Sequence, residues 1–134
     1  MTDMLEATTI TVAIARDWRE VYEAFWPPQA FPRWASGLAD ASLTHAGGEW
    51  RAQGPEGPVV IQFTGRNDFG VMDHWVRPQH GPAIYVPLRI IGNGGGALIS
   101  LTLFRQPGMS DARFAEDAGW VRRDLQRLKS LAEA

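Results

Sequence analysis

The chain has 134 residues, enough for one domain around one hydrophobic core and too few for two that would each stand alone. A net charge of −2 and an isoelectric point near 5.9 leave no basic excess to neutralise phosphates, which argues against nucleic acid and anionic membrane surfaces as partners. The absence of cysteine removes disulfides, thiol catalysis and thiolate metal sites, and makes the cytoplasm the default location.

Asp3 and Glu6 stand where a secretory signal needs positive charge followed by an apolar run, and no stretch reaches the roughly 18 apolar residues of a membrane span. Neither secretion nor stable membrane insertion is therefore expected. Residues 8–15 alternate strictly, Ile10, Val12 and Ile14 on one face and Thr9, Thr11 and Ala13 on the other, as a half-buried strand does. Asp17-Trp18-Arg19-Glu20 has the form of a capping box and opens a short helix through Phe25, with Val21, Ala24 and Phe25 inward. Pro27 and Pro28 end it. A second helical segment over 28–36 carries Phe31 and Trp34 and stops at Ser36-Gly37.

Extended segments follow at 40–46, 49–54, 58–66, 69–77, 82–92 and 96–106, separated by Gly47-Gly48, Pro55-Glu56-Gly57, Asn67-Asp68, the run 78–81 and Asn93-Gly94-Gly95. Connections this short join antiparallel neighbours, because a parallel crossover takes a dozen residues or more. The last stretch, 110–133, places Phe114, Ala118, Val121, Leu125, Leu128 and Ala132 on one helical stripe, widened by Trp120 and Leu131. Ser110 or Asp111 caps its start, and at 1.5 Å per residue it runs about 36 Å. The expected fold is an α+β domain over residues 1–134. A seven-stranded curved antiparallel sheet wraps the long C-terminal helix, and two short helices after the first strand close one end. Such a grip need not fill completely, so a cavity between sheet and helix is the natural place for an apolar guest.

The order of elements, the run 15–25, Pro32-Arg33-Trp34, and the closing run 120–129 with Trp120, Asp124, Leu125 and Leu128 resemble the helix-grip (SRPBCC) superfamily. That superfamily includes START lipid-transfer domains, birch-pollen allergens and polyketide cyclase-like proteins. A narrower likeness, to a bacterial subgroup without assigned chemistry, rests on residues 69–75, 86–89 and 103–110. The resemblance implies binding or transport of a small hydrophobic or aromatic ligand. The alternatives to that first reading are a cyclase or dehydratase for an aromatic polyketide-like substrate, with His74 or Arg89 assisting proton transfer, and a protein-interaction module.

Individual motifs divide between functional and structural explanations. Gly92 to Ala97 formally match the dinucleotide fingerprint, but a strand follows instead of the helix that must meet the pyrophosphate, so the run is a hairpin tip. Asp73 and His74 are strand neighbours and point to opposite faces. His74 shares its face with Met72 and Val76 and is either a polar group of the cavity or a half-buried sheet histidine. Tyr85 and Arg89 share a face; turned inward they would bind a carboxylate or phenolate, turned outward they are solvated. Pro87 between them calls for an edge, a bulge or a bend. Asp117 and Asp124 flank Trp120 and are either a carboxylate pair at the cavity mouth or rim charges beside Arg113 and Arg127.

Six tryptophans are many for this length, and Trp26, Phe31, Trp34, Phe63, Trp75 and Trp120 come from separate elements, as a cavity wall requires. With His74, Tyr85, Arg89 and Val121 they form the expected ligand-binding set. No catalytic constellation is present. His45, His74 and His80 lack metal-ligand spacing, and neither a metal nor another cofactor is expected. The expected partner is a small hydrophobic or aromatic molecule, with a homodimer left open.

Overall fold

The computed structural model describes residues 3–35, 43–54 and 56–134. The expected end of the second helix at Ser36-Gly37, the first residues of the strand expected at 40–46, and Pro55 lie outside them. The chain runs β1 (Ala7–Ile14), α1 (Trp18–Phe25), a 3-10 turn (Pro28–Ala30), α2 (Phe31–Trp34), β2 (Thr44–Ala46), β3 (Glu49–Gly54), β4 (Gly57–Phe63), β5 (His74–Pro78), β6 (Ile84–Val86), β7 (Leu88–Asn93), β8 (Gly96–Phe104) and α3 (Asp111–Glu133).

Every strand pairing is antiparallel, but the expectation of seven strands in one sheet is corrected. Eight strands form two curved sheets, β1-β8-β7 and β2-β3-β4-β5-β6. The stretch expected as one strand over 82–92 is cut into β6 and β7 at Pro87, which has no N–H to give to a ladder. The two sheets still meet there. Thr102 N–H donates to the Pro87 carbonyl at 3.0 Å, Met72 N–H to the Leu88 carbonyl at 2.7 Å, and Ile90 N–H to the Gly70 carbonyl at 2.9 Å.

The strand expected to begin at 69 begins at His74, because the Asn67 side chain ties up the chain before it. Asn67 Oδ1 accepts the N–H groups of Phe69 at 2.9 Å and Val71 at 3.1 Å, while its amide donates to the Val71 carbonyl at 2.8 Å. Those are backbone groups a ladder would otherwise use.

Asp17 caps α1 by accepting the N–H groups of Arg19 and Glu20 at 3.0 and 3.3 Å. The inward residues of α1 are Val21, Tyr22 and Phe25; Ala24 is exposed. Tyr22 takes the inward place because its hydroxyl accepts the Asn67 N–H at 2.8 Å, letting a polar tip be buried at little cost.

Ser110 caps α3, its Oγ accepting Arg113 N–H at 3.1 Å. Ala118, Leu125, Leu128 and Ala132 are buried, with Val121 and Leu131 partly buried against them, and the helix packs chiefly on β1, β8 and α2. Ile10, Val12, Ile14, Leu88, Ile90, Ile99 and Leu101 form the facing surface. Its last turn is tied to the end of β1 and the start of the loop that follows: Glu133 accepts Ala15 N–H at 2.7 Å, Lys129 Nζ donates to the Ala13 carbonyl at 2.8 Å, and Arg16 donates to the Ala132 carbonyl at 2.9 Å. Among the described residues no helix is long and apolar enough to cross a membrane.

Candidate functional site

Strand register decides which side chains face the helices. Phe63 pairs with His74, Ile61 with Val76 and Trp50 with Ile61, so these share the inward parity. Gln62, Trp75, Arg77 and Tyr85 share the outward one. His74 is accordingly buried, at 5% exposure, and Trp75 exposed, at 39%.

Around His74 the aromatics converge. Phe31 stands edge-on to His74 at 5.2 Å, to Phe63 at 5.3 Å and to Trp34 at 5.2 Å, and Trp50 meets Phe63 edge-on at 6.3 Å. These are the perpendicular arrangements that ring quadrupoles favour. His45 stacks on the far side of this chain, 4.5 Å from Trp50. Of the ten residues expected to bind ligand, the structure thus brings Trp26, Phe31, Trp34, Phe63 and His74 together at the junction of the short helices with β4 and β5.

The other five lie elsewhere. Trp75, Tyr85 and Arg89 are on the outer face of the sheet. There Trp75 stacks on Tyr85 at 4.9 Å, and Arg89 pairs with Asp73 at 3.0 Å. Their inward alternative is corrected by the pairing of Trp75 with Tyr85 opposite the buried His74 parity. Trp120 is 44% exposed, with the Arg123 guanidinium 4.1 Å from its ring; it lies beyond the edge of the buried stripe. Val121 packs partly buried against the core and lines neither of the two cavities described below. Asp117 pairs with Arg113 at 3.0 Å as a rim charge.

A partly open cavity of about 860 Å³ lies along β4. Its apolar wall is of inward parity: Trp50, Val59, Ile61 and Phe63, faced by Trp26 and Pro28. Arg51, Gln62 and Arg77, of the outward parity, also border it. No residue of α3 belongs to this wall, so the expected location between sheet and C-terminal helix is corrected. The helix fills the β1-β8 half of the concave surface, and the cavity lies along the β3-β4 half. Sequence inspection missed Trp50, Val59 and Ile61; the alternation of β3 and β4 carried their parity, but not which side was inward.

A second void, far smaller at about 10 Å³ and less open, lies deeper, walled by residues that include Trp34, Met72, His74 and Leu88. Trp26, Phe63 and Thr64 belong to both walls and form the partition between them. Two polar groups border the void. Trp34, 2% exposed, has an indole N–H that finds no protein acceptor. Burial pushes the His74 imidazole down to about 4, against smaller opposing effects of the Met72 carbonyl and the Asp73 charge, so it is neutral at pH 7. Its Nδ1 lies 3.3 Å from the Met72 carbonyl.

On the outer face burial raises the Asp73 carboxyl, but hydrogen bonds from Arg89, Tyr85 and Leu88 N–H outweigh it and hold the group below the usual carboxylate value. Its hydrogen bond to Asp73 pushes the Tyr85 hydroxyl up. This constellation is fully paired within itself. Among the described residues no group of His, Asp and Glu side chains converges as a metal site.

No protein-family model and no curated protein matches the chain. Solved structures do. An uncharacterised protein from Bacillus thuringiensis superposes with a TM-score of 0.73 at 16% identity, covering 95% of this chain and 98% of the other. A START superfamily protein from Mycobacterium smegmatis gives 0.67 at 11% identity, over 95% and 97%. The protein Ara h 8.0201 gives 0.67 at 8% identity, over 96% and 98%. The resemblance read from the sequence is borne out at the level of architecture: the chain has the helix-grip fold of the START and birch-pollen-allergen-like proteins.

Proposed function

We propose that the protein binds a small apolar or aromatic molecule in the cavity along β4, as a carrier or sensor working as one domain. The observation that carries this is the cavity itself. About 860 Å³ lies within the range of small-molecule sites, and the wall offers Trp26, Trp50 and Phe63 beside a minority of polar side chains. The fold supports the same reading, since a sheet gripping a helix at one side leaves concave surface at the other.

Among the described residues the wall contains no nucleophile–base pair, and His74 lines the deeper void and not this cavity. Binding is therefore favoured over turnover. Calorimetric titration with 2-methylnaphthalene tests the proposal. The wild-type protein is expected to bind it, and Val59→Trp, which fills the cavity from its β4 wall, to weaken binding at least about tenfold. Absence of binding to the wild-type protein, or equal binding by the filled variant, would overturn it.

A further inference from the structure

The deep void is too small for a ligand body, yet it is bordered by the two polar groups of the aromatic cluster. A volume of about 10 Å³ matches a single oxygen-sized group. Trp34 presents an N–H with no protein partner, and an unpaired buried donor is costly, which makes this corner of the core a site awaiting an acceptor. With Nδ1 directed at the Met72 carbonyl, that ring nitrogen carries the proton and Nε2 of His74 is left with a lone pair. One donor and one acceptor therefore border one void.

From this pairing we infer that the void receives a neutral hydroxyl group, phenolic or alcoholic, at the end of the ligand whose body occupies the larger cavity. The hydroxyl oxygen accepts from Trp34 Nε1–H, and its proton goes to His74 Nε2. The inference rests on the proposed binding function and adds the chemistry of the ligand's inner end. Access needs only a shift of the partition, since Trp26, Phe63 and Thr64 are shared by both walls. Thr64 also belongs to the wall; its hydroxyl proton goes to the Asp73 carbonyl at 2.5 Å, so towards the void it offers an acceptor only, beside His74 Nε2.

A carboxylate is excluded by the same surroundings. No Arg or Lys lines the void, so a buried anion there would lose its hydration without compensation.

The test compares 2-naphthol with 2-methylnaphthalene, which share a body and differ by a hydroxyl for a methyl. Trp34→Phe keeps an aromatic ring and removes the N–H donor together with part of the ring volume, which is why the affinity ratio of the two probes is read and not either affinity alone. It is expected to lower the naphthol-to-methylnaphthalene affinity ratio about tenfold while leaving methylnaphthalene binding within about twofold. His74→Phe should lower the same ratio. A readout independent of variant folding is the indole N–H resonance of Trp34 in the wild-type protein, expected to move with 2-naphthol and to stay with 2-methylnaphthalene. An unchanged ratio with a silent Trp34 resonance, while both probes bind, overturns the hydroxyl site and leaves the binding function standing. If the wild-type protein binds neither probe, the binding function falls and the hydroxyl site with it.

Discussion

The carboxylate of Asp73 accepts the backbone N–H of Leu88 at 2.9 Å, where an unbroken antiparallel ladder would have sent that N–H to the Met72 carbonyl. The return bond of the pair, Met72 N–H to the Leu88 carbonyl, is present at 2.7 Å, and the Met72 carbonyl meets His74 instead. Pro87, next to Leu88, is the cause: it interrupts the ladder, and Asp73 restores a partner to the group left over. Tyr85 O–H at 2.7 Å and Arg89 complete the shell around the same carboxylate.

Removing that carboxylate strands a buried N–H. Asp73→Ala is expected to lower the unfolding free energy by about 2 kcal/mol, and Asp73→Asn, which keeps an acceptor oxygen, by less. Tyr85→Phe should cost about 1 kcal/mol or under. Urea denaturation measures all three. Stability of Asp73→Ala within about 0.5 kcal/mol of wild type would mean that Leu88 finds another acceptor.

Acid should weaken the fold in two separable steps. His74 titrates at about 4 in the folded protein and near 6.5 when unfolded, so between these values the unfolded chain binds the extra proton. Stability is therefore full above about pH 6.5 and falls on acidification towards pH 4, by an amount on the order of 3 kcal/mol. Asp73, held below its ordinary value, contributes stability above about pH 3.9 that is lost only as the pH falls through its lower folded value. Denaturation midpoints across pH 4 to 7 should slope for the wild-type protein and flatten for His74→Phe. Equal slopes would mean that His74 is hydrated in the fold.

At Gly70 the backbone has φ +69°, and a Cβ added there would lie 2.1 Å from the Ile90 carbonyl oxygen. Both the left-handed conformation and the close approach demand glycine. Gly70→Ala is expected to destabilise by about 3 kcal/mol, from strain and from loss of the contact that joins the loop to β7. A variant with an unchanged melting temperature would show that the loop can move away from β7.

The facing of α3 predicts a contrast along one helix. Leu125 and Leu128 are fully buried, so Leu→Ala at either should cost about 2–5 kcal/mol. Trp120→Ala, despite the larger side chain, should stay within about 1 kcal/mol, because the ring lies against Arg123 and solvent. Thermal unfolding of the three variants checks this, and a larger loss at Trp120 would place that ring inside.

Periodicity made the helices and most strands legible. The stripe from Ala118 to Ala132 and the alternation of Ile10, Val12 and Ile14 are one-dimensional records of a buried face. Registers of competing local bonds were not legible: nothing in the spacing announces that Asn67 will hold the N–H groups of Phe69 and Val71, and so the fifth strand starts late. Pro87 signalled a break, but whether it would end a strand or bend it depended on what stood opposite, and that was Asp73.

By itself, then, the sequence determined an antiparallel grip on a C-terminal helix, a chain rich in large rings, and the opposite facing of Asp73 and His74. Only the folded arrangement decided that His74 points to the aromatic cluster while Tyr85 and Arg89 point away from it, and that the cavity lies along β4. Alternation fixes which residues share a side; which side is inner follows from packing between segments distant in the chain, and no local pattern encodes that.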